Sequence, residues 1–414
     1  MRFRLGDYTF GGANRIRLRL SDWLLIIGFC LAPMTGLRVW KVGPAEVLCL
    51  LWGARFLIRS SYKMTDLLKF LVGFIAAMLI GSLIGYIVAR NELRPTGLLT
   101  WFYLAVIAVA MENGLTKNRV EYNEKLFSVL TECAVLFQLF LYIYSETVSK
   151  TFLGAPLWYH GVRYAGGGTN PHQVAVVLCG VMFVFARNIV KKRRIVISLA
   201  MIAAAVFLLE KTKSSTGILS VVLALLVLIF LRITNISSTK RRFQMLFLTL
   251  LVMSFILLLT YSRIFDYVKN WVEDDANGMG RLSIFSSFGK SFWKDPFFGL
   301  GPGVHGSDGT IEFHNTYLEI LACSGAIGGV FFVLYTIRCI RKLWNADWTL
   351  IPIIVSIYAY GIAGFAMRRL AYWCVMVFVT VIAKQLLEQT AAENGFGYRE
   401  RERMRLLPNG SYEY

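Results

Sequence analysis

The chain has 414 residues, of which 56% are hydrophobic, 14% aromatic and 17% charged. A soluble domain carries roughly a quarter charged residues, whereas here apolar runs of about 20 residues, long enough to cross a hydrocarbon core of about 30 Å, recur along the whole length. These features exclude a soluble globular protein and point to a polytopic helical membrane protein. The formal charge of +19 does not indicate nucleic acid: no basic–aromatic RNA-binding motif accompanies it, and Lys and Arg in cytoplasmic loops fix topology.

In chain order, the apolar runs predict about 12 transmembrane helices. They fall at 22–36, 43–58, 67–89, 96–112, 126–145, 171–187, 195–210, 214–232, 244–261, 315–336, 349–365 and 370–387. The expected fold is an all-α polytopic membrane protein with residues 1–414 as a single transmembrane domain. A smaller outer loop covers 146–170. A large one, with short helices, covers 262–314 between helices 9 and 10, and a charged cytoplasmic tail covers 388–414. The first run does not read as a cleaved signal peptide, because no small-residue cleavage site follows it and "GLRVWKVGPAEVL" leads directly into the next span. The seven cysteines lie in or beside apolar spans without CxxC spacing and read as small buried hydrophobes.

Orientation follows from the basic residues. Arg2, Arg4, Arg15, Arg17 and Arg19 precede the first span, and every second connection after it is basic: Arg59 and Lys63; Lys117, Arg119 and Lys125; "RNIVKKRR" at 187–194; "RITNISSTKRR" at 232–242; and Arg338, Arg341 and Lys342. Both termini and these loops are therefore expected in the cytoplasm, with 146–170 and 262–314 outside. Against that rule, Arg163, Lys211, Lys213, Arg281, Arg368 and Arg369 fall at outer loop ends. A single cation there snorkels to lipid phosphate as readily as it serves a site. Several together, beside glycine-rich loops and a histidine, point to an anion-binding chamber.

Three segments carry candidate chemistry. In "HGVRYAGGGTNPHQVAV" (160–176), Asn170 and Pro171 fit a helix start, whose free N–H groups favour phosphate. Arg163 adds a planar fork suited to phosphate oxygens. In "EKTKSSTGIL" (210–219), two spans meet with almost no loop, leaving Lys211 and Lys213 at the boundary and Ser214–Thr216 as caps or anion donors. In "GRLSIFSSFGKSFWKDPFFGLGPGVHG" (280–306), helical apolar spacing predicts a short amphipathic helix headed by Arg281. GLGPG is not a nucleotide loop, since no strand precedes it and no Lys-Ser follows. Beyond it, His314 and Asn315 precede a helix whose first turns carry Tyr317 and Glu319. A histidine at an interface is commonly structural, but a neutral imidazole also accepts a proton. Aromatics of these outer loops, including Trp158, Tyr159, Trp271, Phe297 and Phe298, suit either sugar stacking or an interfacial belt, the belt being the commoner use.

In this order, "RYAGGGTNPH" (163–172), "EKTKSSTG" (210–217), "GRLSIF" (280–285), "PFFGLGPGVH" (296–305) and "HNTYLEILACSGAIGG" (314–329) resemble the O-antigen ligase and polymerase superfamily of bacterial membrane glycosyltransferases. The motifs cover about 160 to 330 and the topology covers the whole chain. The resemblance implies a metal-independent, cofactor-free inverting glycosyltransferase of the inner (plasma) membrane with a periplasmic active site. The implied donor is an undecaprenyl-pyrophosphate-linked glycan. The acceptor is lipid A-core for a ligase, or a second lipid-linked glycan for an O-antigen or exopolysaccharide polymerase. It implies His314 as catalytic base and Arg163 and Arg281 as donor pyrophosphate ligands, with Lys211 and Lys213 as further ligands and Asn315, Asn170 and Tyr317 in support. "KSSTG" departs from the family pattern, in which an Arg is common near that span. The rival from another class, a transporter or flippase of anionic lipids, predicts charges near the bilayer midplane within broken helices.

Overall fold

A computed structural model of the chain describes residues 17–39, 42–58, 64–88, 95–247, 249, 288–302, 313–364 and 366–405. Among them the helices are α1 (Asp22–Leu31), α2 (Pro44–Ile58), α3 (Asp66–Val88), α4 (Pro95–Thr116), α5 (Val120–Thr147), α6 (His172–Val190), α7 (Ile195–Thr212), α8 (Ser215–Thr234), α9 (Thr316–Ala346), α10 (Ile351–Tyr360) and α11 (Leu370–Arg405). Eight helices are long and apolar enough to cross a membrane, namely α3 to α9 and α11. The expected spans at 22–36, 43–58 and 349–365 correspond to the shorter helices α1, α2 and α10. Most of the expected span at 244–261 lies outside the described residues, as do Arg281 and most of the 262–314 loop.

The last helix and the smaller outer loop depart most from expectation. The last helix continues through Arg405, past the expected end at 387, because "KQLLEQTAAENGFGYRERERMR" contains no proline and is rich in helix-favouring Glu, Gln, Arg and Ala. The smaller outer loop contains two short antiparallel hairpins, β1 (Thr151–Phe152) with β2 (Ala155–Pro156) and β3 (Trp158–Tyr159) with β4 (Arg163–Tyr164). Gly154 and Gly161 supply the positive φ that their turns require.

Contacts between loops sort the connections into two ends that follow the alternation of basic residues. At the basic end, Asp22 at the start of α1 accepts from Trp52 in the middle of α2 and from Tyr122 at the start of α5. Asp66 at the start of α3 pairs with Arg338 (3.2 Å) and Lys342 (2.5 Å) of α9. Arg187 at the end of α6 bridges Glu124 of α5 (2.5 Å) and Asp347 after α9 (2.9 Å), with Lys191 at 2.6 Å from Asp347. At the opposite end, Gly36 donates to the carbonyl of Gly167 (3.0 Å), and Thr35 contacts Thr169. The core between the ends is aromatic, with Phe70 stacked on Tyr335 (5.0 Å) and Phe127 on Phe378 (4.8 Å).

The most unusual element is α9, which breaks at Gly325 (φ 61, ψ −165). A break inside a membrane-spanning helix frees backbone groups that hydrocarbon cannot satisfy. Here the turn-rich segment 296–301 supplies the partners. Leu300 and Gly301 donate to the carbonyls of Ala322 (2.8 Å) and Cys323 (3.1 Å). Ala326 and Ile327 donate to those of Pro296 (2.8 Å) and Phe297 (3.1 Å). Asp295 shapes the turn by accepting the N–H groups of Phe297 and Phe298. The glycines of "FFGLGPG" are therefore packing devices: a Cβ on Gly299 would stand 2.6 Å from the Ala322 carbonyl oxygen, and Gly301 abuts Ser82 of α3.

Two predictions follow from these contacts. Gly325→Ala places a Cβ against the Phe297 carbonyl in a backbone conformation closed to alanine, so it should lower the thermal midpoint of the purified protein steeply, by an amount equivalent to more than about 2 kcal/mol. Arg187→Met removes the guanidinium that joins Glu124 to Asp347, while Arg193 and Lys191 remain on those carboxylates, and should cost about 1–3 kcal/mol.

The same network sets a pH response. Burial by itself would raise the Asp347 carboxyl, but Arg187 and Lys191 outweigh it and hold the group well below the usual carboxylate range. Its stabilising contribution is thus complete above the unfolded-chain value near pH 4 and declines on acidification below it. Asp347→Asn should flatten that part of a stability–pH profile measured from pH 3 to 6.

Candidate functional site

The end opposite the basic loops gathers the sequence-predicted residues through a continuous run of hydrogen bonds. The short connection between α7 and α8 is its hub. Lys213 takes a left-handed conformation (φ 50) and terminates α7. Ser214 then caps α8, its hydroxyl accepting the Gly217 N–H (3.2 Å). Arg163, at the edge of the second hairpin, reaches this turn: its Nε donates to the Thr212 carbonyl (3.0 Å) and its Nη2 to that of Lys213 (3.2 Å). A guanidinium on the last carbonyls of a helix also complements the negative end of its dipole. The side chain is thereby fixed by the fold, with its charge delivered to this point.

From the hub the network continues to α6. The Ser214 hydroxyl lies 3.2 Å from His172 Nδ1. Asn170 accepts the His172 N–H (2.9 Å), so it assists the helix start from one residue earlier than expected, with Pro171 as the flanking residue. The His172 carbonyl accepts the Tyr360 hydroxyl (3.2 Å), which joins α6 to the end of α10. Residues 361–364 and 366, just beyond it, hold the start of α9. Thr316 N–H donates to the Gly361 carbonyl (2.8 Å), the Thr316 hydroxyl to that of Gly364 (2.9 Å), and Asn315 Nδ2 to that of Ile362 (2.7 Å). Thr216 of α8 reaches the Ala363 carbonyl (3.3 Å), closing the circuit.

Asn315 is the N-cap of α9, accepting the N–H groups of Tyr317 (2.9 Å) and Leu318 (3.1 Å). His314, one residue earlier, is exposed and has a positive φ of 49°, an uncommon conformation for a residue with a Cβ and one found at functional sites. Thus His314 is presented outward while its neighbour anchors the backbone. Tyr317 turns the other way and donates to the Tyr358 carbonyl (2.7 Å), a structural role within the bundle. Lys211 pairs with Glu210 (2.9 Å) and lies 5.3 Å from the Phe207 ring, whereas Lys213 is exposed.

The structure therefore joins the surroundings of Arg163, Asn170, Lys213, His314, Asn315 and Tyr317 at one end. Arg281 lies outside the described residues. Several residues that build this end were not singled out in the sequence. His172 and Thr316 follow helix-start signals and were recoverable, whereas Tyr360 sits in an apolar run with nothing to mark its hydroxyl. Arg38, another cation at this end, is held by the buried carboxylate of Glu46. Arg38 and Arg368 both act electrostatically on Tyr103 of α4, so they share one flank. Of the aromatics, Trp158 donates to Ser145 (3.0 Å) and lies 4.9 Å from Lys150 Nζ, while Phe297 is exposed. Among the described residues no cluster of His, Cys, Asp and Glu has the spacing to hold a metal ion.

These features define a multi-pass helical membrane protein with a polar, cation-bearing site at the end opposite its basic loops. A family model described as O-antigen ligase matches residues 209–333, from the last turn of α7 through the break in α9. That match supports assigning the chain to the O-antigen ligase superfamily, and with it an O-antigen ligase-type function of glycosyltransferase-like character. No curated protein and no solved structure matched the chain.

The capping geometry predicts separable effects at neighbouring positions. Asn315→Ala removes both cap bonds and the tie to Ile362, and should cost about 1–2 kcal/mol in a denaturation measurement. Asn315→Asp keeps the acceptor oxygen and should recover most of the cap contribution.

Proposed function

We propose that the protein transfers a glycan from an undecaprenyl-pyrophosphate carrier to a sugar hydroxyl at the outer, periplasmic face, acting as an O-antigen ligase on lipid A-core. The observation that carries this reading is the joining, within one hydrogen-bonded end, of an outward-facing histidine and an arginine fixed by the fold. The basic loops at the other end support its placement outside the cytoplasm.

In the proposed reaction, His314 accepts the proton of the acceptor hydroxyl as its oxygen attacks the anomeric carbon. The bond from that carbon to the pyrophosphate oxygen breaks on the opposite face, so the configuration inverts. The leaving pyrophosphate carries the displaced electron pair, and its charge is stabilised by Arg163 and Arg281. Lys213 is exposed beside the Arg163 turn and suits the same phosphate, and Lys211 contributes at longer range from its pair with Glu210. Asn315, Asn170 and Tyr317 support the site by holding helix ends and backbone. No metal or cofactor takes part in the proposed steps.

A polymerase would use the same groups on a second lipid-linked glycan, and the test below separates the two. The transporter reading draws on the broken helix in α9, a feature it predicts. That break is filled by the chain's own segment 296–301, whose backbone takes the freed hydrogen bonds, so it favours a static scaffold over a substrate path.

Purified protein should be given an undecaprenyl-pyrophosphate-linked glycan with either lipid A-core or additional lipid-linked repeat. Product on lipid A-core establishes the ligase, and lengthened lipid-linked chains establish the polymerase. His314→Ala should lower the rate by roughly 10²–10⁴-fold, whereas His160→Ala, at the exposed tip of the second hairpin, should retain it. Full activity of His314→Ala would remove the base assignment.

A further inference from the structure

A second feature lies at the opposite end of the molecule, away from His314 and Arg163. Between α3 and α9 a crevice of ≈ 360 Å³ opens on the outer surface of the bundle. Its walls are apolar and include Phe70, Gly73, Phe331 and Leu334. Gly73 allows the two helices to approach there, since a Cβ at that position would stand 2.6 Å from the Phe331 ring. Lys69, Asp66 and Arg338 are also among the lining residues. They lie in the first turn of α3 and near the end of α9, at the level where a basic-loop end meets lipid headgroups.

The charge balance at this rim is positive. Asp66 is shared by Arg338 and Lys342, and Glu112 also acts on Lys342, so two carboxylates face three cations when Lys69 is included. Lys69 is exposed on the same helix face. Tyr335, which also lines the crevice, supplies a second and independent observation. It is 4% exposed, and among the described residues its hydroxyl reaches only the Cys339 thiol, with no oxygen or nitrogen acceptor. The Cys339 thiol one turn on is a weak acceptor. A buried hydroxyl without a good acceptor is costly, and an ester carbonyl entering the crevice would relieve it. Tyr335 stacks on Phe70, the residue after Lys69, so the hydroxyl-bearing ring lies close to the cationic rim.

We propose that the α3–α9 crevice is a binding site for an anionic diacyl phospholipid of the cytoplasmic leaflet. Its phosphate meets Lys69 and Arg338, an ester carbonyl accepts the Tyr335 hydroxyl, and an acyl chain lies against Phe70, Gly73, Phe331 and Leu334. The combination of a basic rim and an apolar crevice between spanning helices is what such recognition requires. The site is distinct from the proposed transfer site and does not depend on that reading. Because α9 carries His314 at its far end, a lipid seated here stabilises the helix that presents it.

The test is thermal unfolding of the full chain in neutral detergent, titrated with dioleoyl phosphatidylglycerol, with dioleoyl phosphatidylcholine, or with inorganic phosphate. Phosphatidylglycerol should raise the midpoint by several degrees more than phosphatidylcholine, and inorganic phosphate should leave it unchanged. Lys69→Gln, an exposed substitution compatible with folding, should remove at least half of the difference between the lipids. Lys290→Gln, at a distant surface, should preserve it. Tyr335→Phe should weaken the response to both lipids alike, because the ester carbonyl is common to them. Equal stabilisation by the two lipids, stabilisation by inorganic phosphate alone, or an unchanged preference in Lys69→Gln would overturn the proposal. An equal loss in Lys290→Gln would do the same, since it would mark a general charge effect.

Discussion

The constraint on which this structure depends is the need to satisfy backbone N–H and C=O groups away from water. Most of the chain meets it within continuous helices. At Gly325 it cannot, and the segment 296–301 is drawn in to pair with the open ends of α9. That pairing accounts for the glycines at 299, 301 and 325, for the closeness of Gly81 on α3 to the Phe298 and Gly299 carbonyls, and for the contact of Gly97 on α4 with Pro302. It also holds position 302 on one side of the outer loop while the Asn315 cap holds the other. His314 thus stands directly before the Asn315 cap, a fixed point of backbone, which suits the base role proposed for it.

The two ends of the molecule use charge differently. At the basic end, carboxylates gather several cations each, as Glu124 and Asp347 do around Arg187, Lys191 and Arg193. Residues that set orientation during insertion are here also the ties between helices. At the other end Arg163 is held by the backbone carbonyls of Thr212 and Lys213, whose dipoles restrain its guanidinium. That placement suits the pyrophosphate donor proposed for this face.

The opposing use of neighbouring residues recurs at the site. Asn315 and Thr316 spend their polar atoms on residues 361–364 and 366, and Tyr317 points into the bundle, while His314 remains exposed. Ser214 likewise caps α8 and contacts His172 at once. The glycans and lipids proposed to meet here are bulky. A site made of helix ends tied to one another can stay open to them without losing its geometry, because most of the ties are made by backbone groups and caps.

Much of this was legible in the sequence. Apolar runs located the eight long spanning helices because hydrocarbon leaves the backbone little choice, whereas the expected spans at 22–36, 43–58 and 349–365 are shorter helices. The cap signal at Ser214 was read correctly because it acts within three residues, whereas Asn315 was read only as preceding a helix and Asn170 lies one residue before the cap position. The break in α9 was not legible: "SGAIGG" reads as continuous apolar helix, and its opening depends on a segment about 25 residues earlier that fills it. Nor could sequence show Arg163 bound to Thr212 and Lys213, Tyr360 to His172, or Thr316 to Gly361. The sequence by itself determined the class of protein, its helices and the residue types of the outer face, because those depend on local periodicity and transfer from water. Which of those residues adjoin was decided only by tertiary structure, because helix ends distant in the chain satisfy one another's backbone only once the bundle has packed.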